Sequence, residues 1–121
     1  MKRILIVEDK ASSRELLRTV LEKEGYIIEE AADGEEALSK ARSEAPDMVL
    51  LDLQMPIRGG YEVLKELRQE LRFATLPIVA VTASAMRGDR EKALVAGFNG
   101  YLTKPLSLNV LREEVRRLLP R

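Results

Sequence analysis

The chain contains no cysteine and no histidine. These absences exclude disulfides, thiolate catalysis, zinc sites built on Cys or His, and a histidine general base. It also lacks a charge excess, with 20 Lys and Arg against 20 Asp and Glu. A general nucleic-acid or anionic-membrane binder carries a basic surplus, so neither a direct nucleic-acid partner nor a membrane partner is expected. No apolar run approaches the ~18 residues of a membrane span, and Met1-Lys2-Arg3 runs into a short strand without a signal-peptide pattern. A cytoplasmic location is the expectation. Low-complexity tracts, linkers and charge blocks are missing too, so 1–121 reads as one domain with one core.

What is present alternates. Arg3 to Val7 is β-branched and apolar, a buried strand ending at Glu8-Asp9. Lys10 to Glu24 reads as a helix with Leu16, Leu17, Val20 and Leu21 on one face, stopped by Gly25. Tyr26 to Glu30 is a less apolar strand, nearer an edge. Asp33 and Glu36 form a capping box for a helix with Ala37, Leu38 and Ala41 inward, ended by Ala45-Pro46. Met48 to Leu53 is an apolar strand that carries Asp52, and Met55-Pro56 takes the chain out of it. Gly59-Gly60 opens a helix with Val63, Leu64, Leu67 and Leu71 inward. Ile78 to Val81 is a fourth buried strand, closing at Thr82-Ala83-Ser84. Ala85 to Ala96 reads as a weak helix whose interior Gly88 costs about 1 kcal/mol relative to Ala. Asn99 to Thr103 is the fifth strand, closed by Lys104-Pro105. The last helix has Ser107 as N-cap, a Leu106–Leu111 staple, and Leu111, Val115, Leu118 and Leu119 facing the core.

Five strand–helix alternations with short connections predict an α/β fold: a single parallel sheet with right-handed crossovers and helices on both faces. Every strand then ends on the same edge, where open α/β sheets bind ligands. That edge collects Glu8, Asp9, Asp52, Thr82 and Lys104. An acidic pair, a threonine or a Lys-Pro step alone is ordinarily a loop, a satisfied hydroxyl or a turn. Asp52 differs, because a carboxylate inside an apolar strand is costly without a task. Clustered carboxylates with oxygen ligands only call for Mg²⁺ or Mn²⁺. Lys104 and Thr82 add a cation and a hydroxyl donor suited to a phosphoryl group. With no Ser-His or Cys-His pair, the nucleophile is a carboxylate, and Asp52 is placed to form an acyl phosphate.

The motifs ILIVED at 4–9, DMVLLDLQMP at 47–56, VTA at 81–83 and GYLTKP at 100–105, in this order and spacing, resemble the receiver domain of bacterial two-component response regulators. The resemblance implies strand order 2-1-3-4-5. It implies that Asp52 accepts a phosphoryl group from a phosphohistidine on a sensor histidine kinase or histidine phosphotransfer protein. Asp9 and Asp52 would hold Mg²⁺ through carboxylates, Gln54 through its main-chain carbonyl, and Glu8 through a bound water. Lys104 would pair with the phosphoryl group, and its bond to Pro105 is typically cis. Thr82 would move toward the phosphoryl group on activation, with Tyr101 turning inward behind it. A downstream protein partner would read the 85–118 surface. Gln54 and Ser84 flank the site, placed to influence the lifetime of the phosphorylated state. Two positions depart from the pattern. Gly59 stands where an acid is commoner. Arg58 replaces a small or apolar residue, which bears on partner contact or loop rigidity. The 85–89 stretch is more similar to receivers of hybrid kinases and stand-alone receivers than to those joined to DNA-binding modules.

Other functions fit less well. An aspartyl phosphatase needs a general acid two residues after its nucleophile, where Gln54 stands. Neither G-x-x-x-x-G-K-[ST] nor G-x-G-x-x-G occurs, so a nucleotide-binding loop is missing. A receiver that has lost phosphorylation is opposed by the intact Asp9, Asp52, Thr82 and Lys104 set. No effector domain fits after 107–121. The expectation is a stand-alone receiver, a phosphorelay intermediate, or a receiver excised from a hybrid histidine kinase.

Overall fold

The computed structural model describes residues 1–84 and 86–120. Its strands are β1 (Arg3–Val7), β2 (Ile27–Ala31), β3 (Met48–Asp52), β4 (Ile78–Thr82) and β5 (Gly100–Thr103). Its helices are α1 (Ala11–Lys23), α2 (Gly34–Glu44), α3 (Gly60–Gln69), α4 (Asp89–Ala96) and α5 (Leu108–Leu118), with a 3₁₀ turn at Leu71–Phe73. The sheet runs in the order β2-β1-β3-β4-β5, and every pairing is parallel.

Strand alternation divides the core in two. Leu5, Val7, Val49, Leu51, Ile78 and Ala80 face α2, α3 and α4. Ile4, Ile6, Met48, Leu50, Val79 and Val81 face α1 and α5. Both faces are covered, so every residue of β3 and β4 is buried and these strands read as continuous apolar runs. The mixed burial of β2 reflects its place at an edge. Capping follows the sequence. Asp33 accepts from the Glu36 amide at 2.9 Å, while Glu36 reaches back to the Ala32 amide at 2.8 Å, one residue beyond the usual partner. Ser107 caps α5 by accepting from Val110 N.

Four expectations are corrected. The helix read over Ala85 to Ala96 begins at Asp89, and Ala85 lies outside the described residues. Gly88 is not interior but precedes the first turn at φ 87°, a conformation glycine adopts without strain, so the interior penalty does not arise. Leu71 is exposed rather than inward. The backbone turns extended at Glu70, which resets the helical phase and gives the buried place to Phe73. Leu16 is also exposed, lying at the mouth of a cavity between α1 and the start of α5.

Candidate functional site

The carboxyl ends of β1, β3, β4 and β5 meet at one edge, and backbone bonds fix them there. Glu8 N donates to Ala31 O at 3.0 Å, Leu53 N to Val81 O at 2.9 Å, and Lys104 N to Thr82 O at 2.8 Å. The ladders thus extend one residue past the strands and set the heights of Glu8, Leu53 and Lys104. Gly60 lets the loop after β3 close on itself: a Cβ there would lie 2.9 Å from Asp52 O and 2.7 Å from Leu53 Cδ2.

The edge brings together the expected acids. Glu8, Asp9 and Asp52 each present a carboxylate oxygen within 4.8 Å of the others. Glu8 and Asp52 are buried and Asp9 is exposed. Lys104 Nζ bridges Glu8 Oε1 and Asp52 Oδ2, both at 2.9 Å, and the Lys104–Pro105 bond is cis. Asp52 Oδ1 accepts from Gln54 N at 2.8 Å. Burial raises the Glu8 pKa, aided by the neighbouring Asp52. Burial also opposes ionisation of Asp52, but the neighbouring Glu8 carboxyl, the Lys104 ammonium and the Gln54 amide outweigh it and hold its pKa below the ordinary value.

These residues fit a hard divalent cation. Glu8 Oε2 is buried with no hydrogen-bond partner among the described residues, one ammonium faces three carboxyl groups, and the donors are all oxygen. Beside them lies a cavity of about 270 Å³ whose polar end is Glu8, Asp52 and Lys104 and whose walls include Leu16, Leu17 and Leu106.

Thr82 stands at the same edge, fully buried. Its Oγ1 accepts from Gln54 Nε2 at 2.7 Å and from Ser84 N at 3.0 Å. Tyr101 is buried as well, and its hydroxyl donates to Ser84 O at 2.7 Å. Arg58 bears on loop rigidity: it is ion-paired with Glu35 of α2 and Glu66 of α3.

Sequence reasoning missed two supports. Arg14 Nη1 donates to Glu8 O at 2.7 Å while its Nε pairs with Glu30, bracing the acidic loop against β2. The Gln54 side chain holds the end of β4. A long-range side-chain bond leaves no periodic signal; only the position of Gln54, two residues after Asp52, pointed to the site.

A five-stranded doubly wound sheet with an acidic cluster and a lysine at its carboxyl edge defines a receiver-type α/β domain. The chain belongs to the response regulator receiver domain family of two-component systems, whose profile matches residues 4–116. It is 37% identical over 118 residues to the polar-differentiation response regulator DivK of Brucella anthropi, covering 98% of this chain and 96% of that protein. Its fold superposes with a TM-score of 0.92 on the chemotaxis response regulator CheY4 of Vibrio cholerae, at 32% identity, covering 98% and 99% of the two chains. The receiver domain of sensor histidine kinase PA1611 from Pseudomonas aeruginosa, with a magnesium ion coordinated in its active-site cleft, matches with a TM-score of 0.88 and 35% identity over 97% and 96% of the chains.

Proposed function

We propose that the chain is a phosphorylation switch in which Asp52 accepts a phosphoryl group from a phosphohistidine on a sensor histidine kinase or histidine phosphotransfer protein. An Asp52 carboxylate oxygen attacks phosphorus as the P–N bond to the imidazole breaks, and the bonding electrons leave on the imidazole nitrogen. Lys104 moves its ammonium from the paired carboxylates onto a phosphoryl oxygen. Thr82 donates a hydrogen bond from its hydroxyl to another.

The observation that carries this reading is the single Lys104 ammonium at 2.9 Å from both buried carboxylates, beside the exposed Asp9 of the same acidic cluster. Asp9, Asp52, the Gln54 main-chain carbonyl and Glu8 would hold Mg²⁺, with Mn²⁺ as a substitute, and the magnesium in the PA1611 receiver supports that choice. Bound there, the ion supplies positive charge to the phosphoryl oxygens.

The output is a protein contact on the 85–118 surface, with Thr82 and Tyr101 as the switch residues. Met86, Leu94, Val95 and Val110 are exposed within this stretch, which favours a protein partner. Water hydrolyses the acyl phosphate, returning the Asp52 carboxylate and releasing inorganic phosphate, so the chain turns over only its own phosphoryl group and acts as a signalling switch, not a turnover enzyme.

Incubation with acetyl phosphate and Mg²⁺, read by intact mass, tests the proposal. The wild type gains one phosphoryl group, and both EDTA and Asp52→Asn abolish the gain. An undiminished adduct on Asp52→Asn would place the acceptor elsewhere.

A further inference from the structure

Thr82 is fully buried, although the proposed chemistry needs its hydroxyl to reach a phosphoryl oxygen. The Gln54 side chain, on an exposed residue, occupies that hydroxyl. Its Nε2 donates to Thr82 Oγ1 at 2.7 Å and its Oε1 accepts from Ala83 N at 3.2 Å. One amide therefore spans from the loop after β3 to two consecutive residues at the end of β4. With Ser84 N as the second donor, both lone pairs of Oγ1 are engaged.

We infer that Gln54 is a positioning residue, a latch that holds Thr82 in its resting place and is exchanged for the phosphoryl group when the switch is thrown. The inference rests on the phosphoacceptor reading above. The latch opposes activation because its bond to Thr82 exists only in the resting state. An intramolecular hydrogen bond of this kind is worth roughly a two- to tenfold shift in an equilibrium. Leucine at 54 keeps much of the side-chain bulk and neither bond. The backbone N–H that holds Asp52 Oδ1 is untouched.

The test is a double-mutant cycle of Gln54→Leu and Thr82→Ala, with beryllofluoride and Mg²⁺ as the phosphoryl probe and binding followed by NMR. Gln54→Leu is expected to tighten beryllofluoride binding about two- to tenfold in the wild-type background and to leave it unchanged in the Thr82→Ala background. An equal effect in both backgrounds means that Gln54 acts on the ligand directly. Weaker binding, or no change in the wild-type background, means that it does not restrain Thr82. Each of these results overturns the latch. The Gln54 side-chain amide resonances of the ligand-free protein give an independent reading, since they shift in Thr82→Ala only if the bond exists. Wild-type protein that takes no beryllofluoride defeats the phosphoacceptor reading instead, and the amide resonances still decide whether the bond to Thr82 is made.

Discussion

Replacing Glu8 with glutamine should stabilise the metal-free protein while weakening metal binding. Glu8 is 2% exposed, shares Lys104 with Asp52, and leaves Oε2 without a partner among the described residues. Burial raises its pKa, so the folded state binds the proton more tightly than the unfolded chain. The stability from this group is present at low pH and falls as pH rises from the ordinary carboxylate value through the raised one. Asp52 works in the opposite sense. Despite burial, its hydrogen bonds lower its pKa, so its contribution is present above the ordinary value of 3.8 and lost as pH falls below it. An amide at position 8 cannot ionise, can accept from Lys104 through its oxygen, and can donate to Asp52. Removing an unsatisfied buried polar atom recovers about 1–2 kcal/mol, or roughly 3–6 °C in Tm for a domain of this size. Urea unfolding at pH 7.5 in EDTA should show the variant more stable by that amount, with the gap closing as the pH drops to where wild-type Glu8 is protonated. In saturating Mg²⁺ the order should narrow or reverse, because ligand at about 100 Kd adds ~2.7 kcal/mol to whichever form binds it. A variant less stable than wild type in EDTA, or a gap that Mg²⁺ does not change, would refute the reasoning.

Gly60→Ala should cost about 1–3 kcal/mol and slow phosphorylation, because the new Cβ meets Asp52 O at 2.9 Å and Leu53 Cδ2 at 2.7 Å and must displace the loop beside the acceptor; urea unfolding and acetyl phosphate kinetics check both. Ile57→Asn should stabilise by about 1 kcal/mol. Ile57 holds φ 72° while 81% exposed, so a β-branched residue is strained there with little packing to lose; an unchanged or lowered Tm would count against this. Arg68→Met should lose about 2–3 kcal/mol by urea titration yet leave the phosphorylation rate intact. Its guanidinium donates to Gly97 O, Phe73 O, Leu76 O and Asn99 Oδ1 at the edge of the sheet opposite Asp52, and charged donors are worth more than neutral ones.

Much of this was legible because it is local or periodic. Apolar runs marked β1, β3 and β4, Asp33 and Glu36 marked the start of α2, and strand ends marked Glu8, Asp9, Asp52, Thr82 and Lys104. The strand order came from family resemblance; alternation alone gives a parallel sheet without an order. The errors fall where a period was carried through a backbone break. A helical stripe led Leu71 inward, but Glu70 leaves the helix first. The weak pattern of 85–96 was extended through Gly88, although Gly88-Asp89 is a turn-forming pair and the Asp89 carboxylate accepts from Ser84 Oγ and Met86 N. Leu16 fits the stripe of α1 but faces a cavity. The supports from Arg14, Arg68 and Gln54 escaped because each joins residues distant in sequence, which only the folded topology brings together.

The two edges of the sheet are built to opposite rules. At the amino edge, polar groups are closely satisfied. Arg3 N donates to Asp47 Oδ2 at 2.7 Å, Asn99 Oδ1 accepts from Ile78 N and from Arg68, and the Arg68 guanidinium gathers three carbonyls from two loops. At the carboxyl edge the same sheet tolerates an unpartnered Glu8 oxygen, a left-handed Ile57, and a Thr82 hydroxyl held by an exposed amide. A fold under selection for stability alone would not retain these three features together, since each has a simple remedy in a single substitution. The Glu8 oxygen and the held Thr82 hydroxyl beside Asp52 have a physical reason. Under the proposed function the site takes up a cation and then a dianion, which needs unpaired acceptors and a donor that can be released. Substitutions at the two edges should therefore separate. Those at the amino edge should move stability and leave the chemistry alone, as with Arg68. At the carboxyl edge, easing a local conflict should raise stability at the expense of metal or phosphoryl binding, as with Glu8.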